Sequence, residues 1–110
     1  MIIDPLFLNA QQLDPIMSRK ILFSGDGYTV AYMHSVPGQG GAPHKHPHAQ
    51  FIYVLSGAGA FQVNEQIITA TANQCIPVGS NIPHGVHHVD EEMIWLEFFT
   101  PERNDIKPAE

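Results

Sequence analysis

Several features that would assign a chain to a particular class are scarce in this sequence. Cys75 is the only cysteine, which excludes an internal disulfide and leaves the compartment open. Five basic residues stand against 11 acidic ones, and this balance argues against nucleic acid or an anionic membrane as a partner. No apolar run approaches the roughly 20 residues that a membrane-spanning helix needs. The N-terminus, MIIDPLFLNA, has an acid and a proline where a signal peptide has a basic start, so we expect a soluble, cytoplasmic protein.

What is present is typical of one small globular domain rich in strands. The chain has 110 residues, of which 44% are hydrophobic and 15% charged, enough to bury a core. Short apolar segments end at Gly, Asn or Pro turns, and no segment predicts a helix of more than one or two turns. This pattern predicts an all-β sandwich or closed barrel. The predicted strands are residues 16–23, 28–36, 51–55, 61–63, 66–70 and 93–99, with a tight turn at Gly57, Ala58 and Gly59.

The chain is predicted to consist of an N-terminal arm (1–15), one barrel domain (16–100) and a C-terminal tail (101–110). The arm has two Asp-Pro pairs, which mark turns, with room for one short turn of helix between them. Its apolar residues need cover from the body or from a partner subunit. The arm and an edge strand at 16–23 together offer a surface for a homodimer.

The segment PHKHPHAQ concentrates side chains that bind metals. In an extended chain His44 and His46 leave on the same face, with Cα atoms about 6–7 Å apart, so their rings can converge on one ion. Gln50 lies about 13 Å further along a straight strand, and Pro47 would have to bend the chain to bring it back. His48 is in register with the first two histidines and is an alternative ligand.

His84 is the candidate for a ligand from a second segment, because it follows a Pro-x-Gly turn on a separate strand. Three imidazoles and one amide oxygen suit a divalent ion such as Ni, Fe, Mn, Zn or Cu, and spacing alone does not choose among them. None of these ligands is charged, so the ion would keep its double positive charge and favour an anionic or carbonyl-bearing ligand. We interpret His34, His87 and His88 as wall or surface residues.

These residues resemble the two cupin motifs. The first motif is Gly, five residues, His-x-His, three or four residues, Glu, six residues, Gly. The second is Gly, five residues, Pro-x-Gly, a few residues, His, three residues, Asn. The matching positions are Gly38, His44, His46, Gln50 (for Glu) and Gly57 in the first motif, and Thr71 (for Gly), Pro77, Gly79, His84 and His88 (for Asn) in the second. The resemblance covers roughly residues 16–99 and implies a double-stranded β-helix, or jelly-roll, barrel that binds one divalent metal, although some cupins have degenerate ligand sets and bind none.

The last predicted strand places an acid inside an apolar run. Glu97 is in phase with Trp95 and Phe99. If that face lines the barrel, Glu97 is a partly desolvated carboxyl placed for proton transfer near the ion. The alternative is that Glu97 faces solvent or a neighbouring subunit.

The run EFFTPERND, together with the histidine segment, resembles the pectin-degradation cupins. In that small single-domain family three histidines and a glutamine bind the metal, and the substrates are 4,5-unsaturated uronates, which are converted from the ring to the linear keto form. The resemblance assigns the family acid, usually an aspartate, to Glu97, its aromatic to Phe99 and its arginine to Arg103. Arg103 would pair with the substrate carboxylate if the tail folds over the mouth, and the alternative is a surface ion pair with Glu102 or Asp105.

The sequence therefore predicts a metal-dependent cupin, most simply an enzyme that linearises an anionic sugar, with Glu97 and Arg103 as catalytic residues. Two alternatives remain open. One is a metal-dependent dioxygenase of the quercetinase type, and the other is a sugar- or small-molecule-binding cupin without turnover. Cupins of this size commonly pair, which favours a homodimer.

Overall fold

The structure is a computed structural model that describes residues 1–109; Glu110, the last residue of the predicted tail, lies outside the described residues. The fold is almost entirely strand, and within residues 1–109 no helix is long and apolar enough to cross a bilayer. The short helical turn predicted for the arm is confirmed as a 3-10 turn at Pro5–Phe7. The strands are β1 (Gln11–Gln12), β2 (Met17–Gly25), β3 (Tyr28–Ser35), β4 (Gly38–Gln39), β5 (Ala49–Val63), β6 (Gln66–Thr71), β7 (Cys75–Val78) and β8 (His84–Thr100).

All strand pairs are antiparallel, and two long strands form the centre of the fold. The order is β1-β2-β3-β8-β5-β6, with β4 added to β8 and β7 added to β5. β5 and β8 pair from Ala49–Thr100 at one end to Val63–His84 at the other. Both strands bend at several register shifts, so one sheet supplies facing walls of a barrel. The all-β barrel predicted from the sequence is confirmed.

The arm is attached to the body of the protein rather than free of it. Gln11 and Gln12 pair with β2, and the Lys20 ammonium donates a hydrogen bond to the Pro5 carbonyl at 2.8 Å. Apolar side chains near the start of the arm nevertheless remain exposed, including Ile2 and Phe7.

The predicted tight turn at Gly57 to Gly59 is wrong. The two predicted strands on either side of it form one strand, β5, and the predicted strand 93–99 is only the second half of β8. The glycines mark bulges, because the register between β5 and β8 shifts repeatedly between Val54 and Phe61. Long-range pairing with β8 therefore outweighs the local turn preference of this Gly-rich segment.

The backbone of β5 lies so close to that of β8 at Gly57 that only glycine fits there. Its φ is +85°, and a Cβ atom there would overlap the Glu92 carbonyl oxygen. We expect Gly57→Ala to lower the free energy of unfolding by about 2–4 kcal/mol, because backbone strain adds to the steric clash. Urea denaturation measures this, with Gly41→Ala as the matched control, since a Cβ at Gly41 meets nothing within 4 Å. Equal stability of the two variants would contradict the role assigned to Gly57.

The core follows the alternation of the central strands. Ile52 and Val54 of β5 and Met93 and Trp95 of β8 are almost fully buried, and the Trp95 ring meets Phe61 edge-on with centroids 5.5 Å apart. This packing fills one part of the barrel. The other part is open, and the polar residues gather there.

Candidate metal centre and its pocket

Three histidines from two distant segments come together at the open part of the barrel. His44 and His84 form an isolated antiparallel bridge, in which each backbone N–H donates to the other's carbonyl at 2.9 Å. The His84 ring centroid lies 4.6 Å from that of His44 and 4.9 Å from that of His46. One nitrogen from each ring lies within 4.8 Å of the others, so small ring movements would let all three contact one ion. A backbone bridge, and not only side-chain packing, therefore brings the two segments together.

Gln50 reaches the same site because the chain bends at Pro47 and His48, as the sequence analysis required. The loop before β8 holds the bend: the Asn81 N–H donates to the His46 carbonyl at 2.8 Å, and the Ser80 hydroxyl donates to the Pro47 carbonyl. Gln50 is the second residue of β5 and is only 6% exposed.

His48, the alternative ligand, lies beside this group but outside it. Its ring centroid is 5.5 Å from that of His46, and it does not belong to the set whose ligand atoms converge. The ligand atoms that converge are those of His44, His46 and His84, and Gln50 lies near them, within hydrogen-bond distance of Glu97.

The hydrogen bonds of two rings fix which nitrogen is free to bind a metal. His46 Nδ1 lies 2.9 Å from the His48 carbonyl oxygen, and His84 Nδ1 lies 2.8 Å from the Ile82 carbonyl oxygen. A carbonyl oxygen only accepts hydrogen bonds, so each Nδ1 carries the proton. In a neutral ring the Nε2 lone pair is then free, which is the arrangement that metal-binding histidines use.

The surroundings favour the neutral rings. Burial, followed by the positive charge of Arg103 and by His84, lowers the pKa of His46 to about 4. Burial, followed by His84 and Arg103, also lowers the pKa of His44. These two rings are therefore ready to act as ligands at neutral pH without first losing a proton.

The donor set fits a divalent transition metal. His46 Nε2, His84 Nε2 and Gln50 Oε1 are all buried, and none has a hydrogen-bond partner within residues 1–109. A buried acceptor without a partner costs about 1–3 kcal/mol, so three in one place are unfavourable unless something satisfies them. A cation between them would do so, and imidazole and carbonyl ligands suit Ni, Fe, Mn, Zn or Cu.

A pocket opens beside the three histidines. Its empty volume, which includes open solvent, is about 550 Å³. Apolar side chains that include Met33, Ile52 and Phe61 form part of its wall, while His44, His84, Glu97 and two arginines supply the polar part.

Glu97 faces this pocket, which decides between its two predicted orientations. Its Oε2 accepts a hydrogen bond from the indole N–H of buried Trp95 at 2.8 Å, and its Oε1 accepts one from Gln50 Nε2 at 3.4 Å. The same Gln50 amide thus presents an unpaired oxygen and donates its N–H to the carboxylate. Glu97 is held next to the candidate metal ligands by two donors of fixed position.

Arg103 forms the predicted ion pair with Asp105 and also lies at the pocket. Its guanidinium lies 4.8 Å from the Phe99 ring centroid, lines the pocket and is only 11% exposed. It also donates twice to Asp105, from Nε to Oδ1 at 2.8 Å and from Nη2 to Oδ2 at 2.6 Å. The backbone N–H of Arg103 donates to the Thr29 hydroxyl at 2.8 Å, which fixes the tail against β3.

Acid is expected to weaken the pair between Arg103 and Asp105. The hydrogen bonds from Arg103 hold the pKa of Asp105 well below its ordinary value of 3.8. A carboxyl with a depressed folded-state pKa stabilises the fold above its unfolded pKa, and this contribution declines as the pH falls below 3.8 towards the folded value.

Asp105→Asn should therefore lower the Tm at pH 7 by a few °C at most, since the carboxylate is 54% exposed and screened by solvent. The difference from the wild type should shrink between pH 4 and pH 2 in thermal melts. A difference that stays constant over that range would contradict the pairing.

Sequence reasoning missed Arg19, which also lines the pocket. It lies on β2 between Met17 and Ile21, opposite Met33 of β3, and all four side chains contribute to the interior. The alternation of side chains along β2 could have revealed it. In a strand, Arg19 shares a face with the residues two positions before and after it, and both of these are apolar.

Comparison with known proteins identifies the family of this chain. Residues 31–99 match the family described as the cupin domain, so this chain belongs to the cupin family. The chain is 33% identical over 99 residues to the pectin degradation protein KdgF of Dickeya dadantii, an alignment covering 86% of this chain and 87% of that protein. The predicted resemblance to pectin-degradation cupins is confirmed.

Solved structures confirm the predicted cupin barrel. KdgF from Halomonas sp. superposes with a TM-score of 0.87 at 21% identity, covering 96% of each chain. The polyketide cyclase RemF from Streptomyces resistomycificus superposes with a TM-score of 0.83 at 16% identity, covering 100% of this chain and 85% of that one. Proteins with such different names share the barrel, so the function must be argued from the site.

Proposed function

We propose that this protein is a metal-dependent enzyme that converts 4,5-unsaturated uronates from pectin or alginate breakdown to their linear keto form. The observation that carries the proposal is the set of three buried, unpartnered acceptors, on His46, His84 and Gln50, beside the inward-facing carboxylate of Glu97. The 33% identity to a pectin degradation protein supports the choice of substrate class. We assign His44, His46, Gln50 and His84 as metal ligands, and Glu97 and Arg103 as catalytic residues.

The reaction is an isomerisation in which atoms and electrons balance. The hydroxyl at C1 of the cyclic substrate loses its proton, the bond between C1 and the ring oxygen breaks, and C1 becomes an aldehyde. The released oxygen at C5 is that of an enol, which becomes a ketone when C4 gains a proton. A bound divalent metal would supply Lewis acidity to the oxygens of the substrate.

Glu97 is suited to carry the proton between these two positions. A carboxylate can accept the proton of the C1 hydroxyl and return it to C4, ending in its starting form. Trp95 and Gln50 each donate to one of its oxygens and hold the group in place. Arg103 contributes positive charge at the pocket wall, against Phe99.

An absorbance assay tests the proposal. Protein loaded separately with Ni, Fe, Mn, Zn or Cu is incubated with a 4,5-unsaturated galacturonate, and the loss of its ultraviolet enol-ether band is followed. We expect turnover that chelation removes and at least one of these metals restores. No change in the band with any loaded protein would contradict the proposal. Oxygen uptake with a flavonol would then favour a dioxygenase, and binding of a sugar without turnover would favour a binding module.

The homodimer and the cytoplasmic location stay predictions. The exposed apolar side chains of the arm, such as Ile2, Leu6 and Phe7, support the homodimer as a surface that a second subunit would cover. Sedimentation of the purified protein tests it.

A further inference from the structure

Arg19 is a cation that points into the pocket from the edge of the barrel. β2 is paired on one side with β3 and, over two residues, with β1 on the other. The Arg19 side chain lines the same pocket as His44, His84 and Glu97. Its position on the interior face, between Met17 and Ile21, is unfavourable for a charge that has no partner.

The hydrogen bonds of Arg19 are incomplete. Its Nη2 donates to the side-chain oxygen of Gln11 at 2.9 Å. Its Nε is buried and has no hydrogen-bond partner within residues 1–109. No carboxylate of the described chain lies within ion-pair distance of the guanidinium.

Arg103, the other arginine of the pocket, differs from Arg19 in this respect. Both its Nε and its Nη2 donate to Asp105, so its charge is matched by a carboxylate of the protein. Of the two guanidinium groups, Arg19 is the one with no ion pair to a carboxylate of residues 1–109 and with an unpartnered Nε–H.

The electrostatic surroundings of Arg19 agree with this geometry. Burial lowers the pKa of Arg19, the negative charge of Glu97 acts in the opposite direction, and Arg103 lowers the pKa further. A guanidinium stays protonated in proteins, so an anionic ligand that enters the pocket would add to the offset that Glu97 supplies against the cost of burying Arg19.

We propose that Arg19 binds the carboxylate of an anionic cyclic sugar in this pocket, and that Gln11 of the N-terminal arm positions its guanidinium. The Nε–H is the free donor, and a guanidinium matches the planar geometry of a carboxylate. The inference rests on the proposed function for its substrate class and adds a residue to it. It places the substrate carboxylate at Arg19 of β2 and not at Arg103 of the tail.

The test compares Arg19→Gln with Lys20→Gln, which removes the same charge from the adjacent residue. Lys20 lies on the opposite face of the sheet and donates to the Pro5 carbonyl. With the metal-loaded enzyme and a 4,5-unsaturated galacturonate, we expect Arg19→Gln to raise KM by about 10- to 100-fold, the effect of a lost charge-assisted hydrogen bond. The value of kcat should change far less, and the metal content should stay that of the wild type. Lys20→Gln should leave KM unchanged.

Arg19→Lys is the second variant, in case Arg19→Gln does not fold. Lysine keeps the charge but lacks the planar fork, so we expect KM to rise by about 5- to 10-fold. A wild-type KM in Arg19→Lys, or in a folded Arg19→Gln, overturns the proposal while leaving the proposed function intact.

Binding of an unreactive ligand tests the carboxylate site at Arg19 separately from the proposed enzymatic function. Calorimetry with the nickel-loaded protein compares saturated galacturonate with galactose, which lacks the carboxylate. We expect the wild type to bind galacturonate more tightly and Arg19→Gln to lose that difference. If the wild type turns nothing over but shows this Arg19-dependent preference, the proposed function fails and the carboxylate site stands. If galacturonate and galactose bind the wild type equally, the carboxylate site is wrong.

Discussion

Replacing His46 with alanine is expected to empty the metal site and abolish turnover. His46 is 8% exposed, its Nε2 has no hydrogen-bond partner within residues 1–109, and its Nδ1 lies 2.9 Å from the His48 carbonyl oxygen, so the ring is held with a free nitrogen in the site. The site has no charged ligand to compensate, so the loss of one imidazole from four neutral ligands removes much of the affinity. We expect turnover to fall by at least about 1000-fold, on the order of 4 kcal/mol of transition-state stabilisation.

Elemental analysis of protein purified without added metal measures occupancy directly. Thermal melts during a nickel titration give a second measure, because a ligand that binds only the folded state raises the Tm by an amount that grows with the logarithm of its concentration relative to its Kd. The wild type should show this rise and His46→Ala should not. His34→Ala is the matched control, because His34 pairs with Glu92 at 3.0 Å, apart from the candidate ligands. A stoichiometric metal in His46→Ala would contradict the ligand assignment, and loss of the metal in His48→Ala would point to the neighbouring ring instead.

The second large effect is expected from Glu97→Gln, which should keep the metal and slow turnover by about 100-fold. The side chains have nearly the same shape, and the glutamine oxygen can still accept the hydrogen bond from Trp95. What is lost is the capacity to take up a proton and return it. The expected effect is therefore on kcat, with metal content unchanged.

Two variants make this experiment specific. Glu92→Gln removes the same charge from the other half of β8, where Glu92 pairs with His34. It should leave turnover unchanged. Glu97→Asp retains a carboxylate, the acid usual in the resembling family, and should lose less activity than Glu97→Gln. Full activity in a metal-loaded Glu97→Gln would exclude Glu97 from proton transfer.

The candidate ligands of the histidine segment could be predicted from the sequence because their geometry is local. His44 and His46 share a face by strand alternation, and Pro47 allows the bend that brings in Gln50. The spacing of His84 from its Pro-x-Gly turn matched a known motif. The sequence could not show that a backbone bridge joins His44 to His84, because strand pairing over 40 positions leaves no local pattern.

Other parts of the site depended on tertiary contacts. Arg19 was missed because the sequence does not show which face of β2 points to the interior. That is decided by the pairing of β2 with β3 and by the position of the pocket. The position of Arg103 depends on the tail folding back onto Thr29. The tail has no hydrophobic periodicity from which this could be predicted. The bent course of β5 could not be predicted either, because Gly57 and Gly59 fit a turn and a bulge equally well in isolation.

The position of β8 in the sheet has a consequence for the synthesis of the protein. This strand is the last within residues 1–109, yet it lies between β3 and β5 and also pairs with β4. A nascent chain therefore cannot close the barrel until residue 100 has left the ribosome, and until then β3 and β5 expose unpaired edges. Folding should be slow, as expected when the decisive contacts join residues far apart in the chain. Chains that stall before β8 are the species from which aggregation should begin.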